Sequence, residues 1–310
     1  MKRFRISWQL AVGSWQRINY RAYCLLLTAY CLLFSACNLI NPASPVPSYL
    51  RIEKITLTTD PATQGSRNNA ITDAWVFVDE QVIGVFQMPV NVPILFSGIH
   101  TITIKPGVIL NGIAATRIDY PFYTSYVQTV NLVPGHIDTI QSASVTYNNC
   151  TFALLEDFDQ AGLKLTHSPY YTDSIHIISD PAIGLLEGKC GAALLNAGDP
   201  SFWFTCIDSF PMPIGSIRYM EINYKGNYPF AVGLQSFVNG IAINNGDDIV
   251  ILKPSSTWQK IYVDLNILNA QDPLVASATY FKVYMQSVLD LTVQPSAAIY
   301  FDNIKVIHNG

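Results

Sequence analysis

Beyond residue 50 the chain alternates apolar and polar positions in short runs, with almost no helical period. Ile55-Thr56-Leu57-Thr58, Thr101-Ile102-Thr103-Ile104 and Tyr126-Val127-Gln128-Thr129-Val130 alternate. Trp75-Val76-Phe77-Val78 runs apolar, and each stretch is bounded by Gly, Pro, Asn or Asp. Runs of period two rich in Val, Ile, Thr and Tyr predict half-buried strands. After Cys150 the strands lengthen, over residues 218–224, 249–252, 260–265, 281–285 and 299–307. Short strands at such spacing point to all-β sandwiches. One strand ends at Val145-Thr146-Tyr147 and an acidic stretch, Leu155-Glu156-Asp157-Phe158-Asp159, restarts the pattern. The boundary therefore falls near Asn148-Asn149-Cys150. A small β-sandwich over 51–149 and a larger one over 150–310 are expected, closely packed for want of a linker.

The pattern before residue 50 differs. Residues 1–22 carry Lys2, Arg3, Arg5, Arg17 and Arg21 and no acid, and an apolar run follows from Tyr23 to Ala36. A basic start, a short apolar stretch and a small-residue exit make an export signal. The run falls short of the roughly 20 apolar residues a transmembrane helix needs. An uncleaved anchor is the other reading. Leu33-Phe34-Ser35-Ala36-Cys37 resembles a bacterial lipobox, with Phe34 a less usual occupant. That resemblance implies a signal peptide over 1–36 and lipid on Cys37, and two or more acyl chains suffice for stable anchoring. Residues 37–50, with three prolines, predict a tether reaching at most about 40 Å.

Removing residues 1–36 takes away all five of those bases. What remains has 13 Lys and Arg against 22 Asp and Glu, a net of −9. An acidic chain without a basic cluster argues against nucleic acid and against electrostatic adhesion to anionic lipid. The lipid would then supply the membrane contact.

Within 51–149, Val76-Phe77-Val78-Asp79, Gly84, Pro89, Pro93 and Gly98-Ile99-His100-Thr101-Ile102-Thr103-Ile104 resemble PEGA-type envelope modules over about 35 residues. The hairpin Asp79-Glu80-Gln81 lacks the glycine usual there. Asn111-Gly112 and Tyr120-Pro121-Phe122-Tyr123 have no counterpart, and the aromatic stretch is expected to pack under the sandwich, a binding patch being the second reading. Within 150–310, Glu156-Asp157-Phe158, Trp258–Leu265 and Ile299–Val306 resemble jelly-roll domains of the galactose-binding-like and carbohydrate-binding-module kind. With the tether, the whole chain resembles two-domain lipoproteins of the Bacteroidetes type.

Candidate sites follow. A hairpin centred on Gly198 would set Cys190 opposite Cys206, within reach of a disulfide, with Phe202 and Phe204 inward and Trp203 outward. In the resembling modules an outward tryptophan stacks on a sugar ring, which marks Trp203 as a ligand-binding candidate. The other reading covers it with a loop or the first domain. Trp258 and Trp75 are expected to be packing residues. In a jelly roll the first and last strands are neighbours, which would gather Glu156, Asp157, Asp159 and Asp302. Related modules often hold structural calcium there, and several carboxylates suit Ca²⁺. The alternative is a solvated acidic edge that discourages strand-to-strand association.

Catalytic signatures are missing. There is no Gly-x-Ser-x-Gly and no His-Glu-x-x-His, and the five histidines lack metal-ligand spacing. The expectation is a non-catalytic lipoprotein whose jelly roll binds a glycan or surface polymer. The alternatives are a scaffold binding an envelope protein and a glycan-active hydrolase or lyase. No acid follows Cys37 within residues 38–51, which for lipoproteins of that type favours the periplasmic side of the outer membrane over the cell surface.

Overall fold

In a computed structural model of the chain, residues 20, 22–30, 44–171, 173–211, 215–243, 246–266 and 278–309 are described. Cys37 lies outside them. Residues 22–30 are helical, and no described helix is long and apolar enough to cross a membrane. The described residues before Ser48 form a unit separate from those that follow.

From Ser48 onward the fold is all β: a small β-sandwich followed by a jelly-roll β-sandwich. The first half contains β1 (Ser48–Ile52), β2 (Ile55–Leu57), β3 (Asp73–Val78), β4 (Gln81–Gln87), β5 (Val90–Ile94), β6 (Gly98–Ile109), β7 (Arg117–Asp119), β8 (Tyr126–Leu132), β9 (Ile137–Ile140) and β10 (Ala143–Val145). Strands β4-β3-β6-β7, with β8 on β6, face a layer made of β5-β1-β9 and β10-β2. The expected tether ends early. Ser48 is buried, its hydroxyl donates to Ile94 O at 3.0 Å, and Leu50 is fully enclosed, so residues 48–50 already belong to the sheet. The β3–β4 turn forms without glycine, Asp79 and Glu80 both taking positive φ (45° and 68°). Asp79 is fastened from across the turn: its Oδ1 accepts from Thr101 N at 2.9 Å and its Oδ2 meets His100 Nδ1 at 2.6 Å.

The second half contains β11 (Thr151–Glu156), β12 (Leu165–His167), β13 (His176–Ile178), β14 (Cys190–Leu195), β15 (Ser201–Cys206), β16 (Phe210–Pro211), β17 (Arg218–Gly226), β18 (Phe230–Val238), β19 (Ile241–Ala242), β20 (Asp247–Leu252), β21 (Ser255–Asp264), β22 (Tyr280–Val288) and β23 (Ala297–His308). One sheet runs β13-β14-β23-β17-β21 with β11 on β23. The other runs β12-β15-β22-β18-β19, with β16 on β22 and β20 on β18. Phe202, Phe204, Phe230, Val232, Ile299 and Phe301 fill the space between them.

The two sandwiches share one compact unit, and their junction explains an odd pattern in β17. Seven consecutive residues there are buried, where a one-sided strand would alternate. Met220 and Ile222 point to the jelly-roll core, while Tyr219 joins the core of the first sandwich with Tyr262 and Ile307. Glu221, fully buried, accepts from the Tyr120 hydroxyl at 3.0 Å and the Tyr147 hydroxyl at 2.9 Å, and pairs with Lys260 at 3.2 Å. Asn111, in left-handed conformation, donates its N–H to Tyr262 O, and its side chain accepts from Asp264 N. Asn111-Gly112 and Tyr120–Tyr123 thus build the contact with the jelly roll.

Candidate functional site

Strand β15 alternates cleanly: Phe202, Phe204 and Cys206 are buried and Ser201, Trp203 and Thr205 partly exposed. Trp203 therefore stands on the outer face of the β12-β15-β22-β18 sheet. It takes no part in the junction, which uses the opposite sheet. Its indole stacks on Tyr284, with centroids 4.0 Å apart and planes 16° apart, and Tyr171 leans on it at 5.7 Å. Tyr284 is 1% exposed and forms the floor under Trp203. Two glycines make room. A side chain at Gly233 would run into the Tyr284 ring, and one at Gly246 would sit 2.7 Å from Tyr284 and 2.8 Å from Trp203.

Asp248 Oδ1 accepts from the Tyr284 hydroxyl and from Gln286 Nε2, both at 2.8 Å. Burial first, and this carboxylate second, push the Tyr284 hydroxyl well above its ordinary range, so it stays a donor. A depression of about 400 Å³ opens beside Trp203, lined by His167, Tyr170, Tyr171, Thr205 and Gln235. Tyr170 is 92% exposed at its rim. An aromatic ring among amide, hydroxyl and imidazole groups offers one stacking surface and several hydrogen-bond partners. Tyr284, Tyr171, Asp248 and Gln286 were not foreseen. The outward parity of Tyr284 and Gln286 on β22 could have shown them, but the facing strand was not identified.

The predicted disulfide does not form. Cys190 and Cys206 are free and buried. Strands β14 and β15 are consecutive but belong to opposite sheets, because the Asn196–Pro200 turn crosses from one to the other. Cys206 enters the core between the sheets, while Cys190 does not belong to it. Burial pushes the two thiols up to about 12 and about 11 respectively, so both are inert near neutrality.

The acids are placed differently from the expected cluster. Strand β11 does pair with β23, Glu156 opposite Ile304. Glu156 spends both oxygens on backbone, accepting from Phe158 N at 2.8 Å and Lys164 N at 2.6 Å. It shapes the loop after β11, and Asp157 receives Asp159 N at 3.1 Å in the same loop. Asp302 is 1% exposed, its Oδ1 accepting from Asn303 N at 2.7 Å and its Oδ2 without a partner. Burial, with the Glu187 and Asp159 charges adding to it against the Asn303 and Glu187 amides, pushes this carboxyl up to about 8. Among the described residues no three His, Cys, Asp or Glu side chains are grouped to hold a metal.

Of two further tryptophans, Trp75 differs from expectation and Trp258 agrees with it. Trp75 lies on the outer face of the first sandwich across Gly107, not in its core, and its indole N–H has no partner. Trp258 does pack, but outside the jelly-roll core, donating to Gly184 O at 2.8 Å beside Lys225.

No family model and no curated protein matches the chain. Solved structures do resemble part of it. A family 61 carbohydrate-binding module in complex with β-1,4-galactotriose has a TM-score of 0.29 at 11% identity, covering 46% of this chain and 85% of that one. A family 29 carbohydrate-binding module from Piromyces equi reaches 0.34 at 10%, covering 53% and 93%. The K1 cleaved adhesin domain of Lys-gingipain from Porphyromonas gingivalis reaches 0.34 at 16%, covering 49% and 96%. Likeness this distant carries no ligand or site over to this chain.

Proposed function

We propose a lipid-anchored envelope protein that binds a glycan on the Trp203 face of its jelly roll and catalyses no reaction. The observation that carries the reading is Trp203 itself, partly exposed and held flat on Tyr284 beside an open polar depression. A pyranose presents a C–H face that suits an indole, and its hydroxyls suit the surrounding amide and hydroxyl groups. The anchor is Cys37, in a lipoprotein of the Bacteroidetes type on the periplasmic side of the outer membrane, with a PEGA-like first sandwich. Affinity electrophoresis through polysaccharide-containing gels tests the site. Retardation by at least one polysaccharide, abolished in Trp203→Ala, is expected; retardation indifferent to that substitution removes the site. Release of reducing ends or unsaturated products from the same polysaccharides would overturn the non-catalytic part. Globomycin treatment, which blocks lipoprotein signal cleavage, should leave an uncleaved precursor.

Protein scaffolding is the second reading. Val82, Ile99 and Val127 are 60%, 76% and 59% exposed on the outer face of β4-β3-β6-β8, where a protein partner could cover them. Stoichiometric recovery of one envelope protein by pull-down, lost in Ile99→Glu, would favour it. The calcium expected from the sequence at Glu156, Asp157 and Asp302 is carried forward as part of the proposal, and Asp302 Oδ2, buried and unbonded, is the oxygen that favours it.

A further inference from the structure

The Trp203 depression has a neighbour. Across β22 and β18 lies a second depression of about 300 Å³, lined by Tyr228, Ala231, Asp248, Ile251, Gln286 and Val288. Gln286 stands directly opposite Trp203 in the β15–β22 register and opposite Ala231 in the β22–β18 register. Asp248 belongs to both places: it lines the second depression and holds the Tyr284 hydroxyl that supports Trp203 in the first. The path from β15 to β20 crosses three strand spacings, roughly 14 Å at about 4.8 Å each. That distance exceeds one sugar ring.

The charge along this path is one-sided. Asp248 lies on it, and no lysine or arginine lines either depression. Five of the eight Lys and Arg in the second half are engaged elsewhere, and Lys189, Arg218 and Lys253 line neither depression. Lys282 donates to Ile207 O, Lys164 to Leu155 O, Lys225 to Gly184 O and Lys305 to Ser66 O, while Lys260 pairs with Glu221. Segments 212–214, 244–245 and 267–277, outside the described residues, contain no Lys or Arg either. A carboxylate or sulfate on a ligand would meet like charge with no cation to offset it. Neutral hydroxyls, by contrast, are good donors to a carboxylate.

Resting on the Trp203 reading, we infer that the ligand is an uncharged glycan chain laid across the strands over both depressions, with Asp248 as the residue that reads its hydroxyls. Asp248 determines specificity twice over: it accepts from the sugar and repels anionic chains. The experiment uses the full chain in detergent. Gels carry either xylan, galactomannan and mixed-linkage β-glucan or polygalacturonate, alginate and chondroitin sulfate, and calorimetry follows with neutral oligosaccharides of increasing length.

Retardation by neutral gels only is expected, with affinity rising from disaccharide to hexasaccharide. Asp248→Asn keeps an acceptor for Tyr284 and should weaken neutral binding on the order of tenfold, with an unchanged melting temperature. Preference for an anionic polysaccharide would overturn the inference while leaving the Trp203 site intact. So would equal affinity for disaccharide and hexasaccharide, or full neutral binding by Asp248→Asn. Binding that ignores Trp203→Ala would instead overturn the site reading, and the inference with it.

Discussion

Tyr147, at the end of the first sandwich, donates its hydroxyl to Glu221 on β17 of the jelly roll at 2.9 Å, and the same hydroxyl accepts from Lys305 at 3.1 Å. Glu221 pairs with Lys260 at 3.2 Å, and neither side chain is more than 2% exposed. The contact is ionic without hydrogen-bond alignment, since Lys260 Nζ lacks a bonded partner. Such a junction makes the two sandwiches unfold together. Glu221→Ala leaves Lys260 charged and unpaired, which costs about 3–5 kcal/mol for a buried pair. A single thermal transition at lower temperature is expected by calorimetry. The double substitution Glu221→Met with Lys260→Met should recover most of the loss, and two separate transitions in the wild type would contradict the coupling.

Lys305 supplies a pH dependence. Burial outweighs the attraction of Glu221 and pushes its ammonium down to about 8, from an ordinary value of 10.5. Below about pH 8 both folded and unfolded chains hold the proton, and the native state bears the full cost of the buried charge. Between about 8 and 10.5 the unfolded chain binds the proton more tightly than the folded one, so this group's contribution to stability rises with pH. Denaturant midpoints of wild type and Lys305→Met, compared from pH 7.5 to 9.5, should converge less favourably for the variant as pH rises. A difference constant with pH would rule this titration out.

His100 behaves with the opposite sign to Lys305, and its partner Asp79 with the same sign. The hydrogen bond that His100 donates to Asp79, then that to Ser97 O, raises His100, and accepting from His100 lowers Asp79. The histidine's contribution is full below its unfolded value near 6.5 and is lost as pH rises through the raised folded value. Asp79 contributes above its unfolded value and loses this as pH falls through the lowered folded one. The β3–β4 turn is therefore most secure between about pH 4 and 6.5. Proton NMR should show His100 titrating above free histidine, and Asp79→Asn should bring it back. An unshifted His100 titration in the wild type would remove the pair.

This turn also shows how far the sequence could be read. Gly98-Ile99-His100 marked a turn into a strand, and Asp79-Glu80 marked a hairpin, but their side-chain bond joins residues 21 apart. Parity within β15 correctly turned Trp203 away from Phe202 and Phe204, because alternation is a local property of a strand. Pairing is not local. The Asn196–Pro200 turn has hairpin composition, yet it carries the chain from one sheet to the other, so the Cys190–Cys206 opposition was lost. The same limit hid Asp248 and Gln286, which reach Trp203 only through β22. Trp75 misled for another reason: an apolar run of four cannot say which of its two faces meets the core.

Asp302 tests the cation. Its unbonded Oδ2 would be relieved either by an ion or by removing the charge. At pH 9, calcium is expected to raise the melting temperature relative to a chelator. Asp302→Asn is expected to raise it without calcium and to abolish the calcium response. A stabilisation of 1 kcal/mol would appear as roughly 2–4 °C in a chain of this size. Calcium response surviving in Asp302→Asn would move the ion elsewhere.

The Trp203 platform depends on a residue that touches no ligand. Gly246 has φ of 99°, and a Cβ there would come within 2.7 Å of Tyr284 and 2.8 Å of Trp203. Alanine would therefore be strained in its backbone and would press the two rings off their 16° stack. The residue lies at the surface end of β20, so a destabilisation of about 1–3 kcal/mol is expected and the fold should survive. Binding should fall much more than folding does, because the ring that presents the flat face is tilted. Near-ultraviolet circular dichroism, which reports coupled aromatic rings, should change in Gly246→Ala as it does in Tyr284→Leu. Unaltered aromatic dichroism with full polysaccharide retardation would mean that the stack is not what holds Trp203 in place.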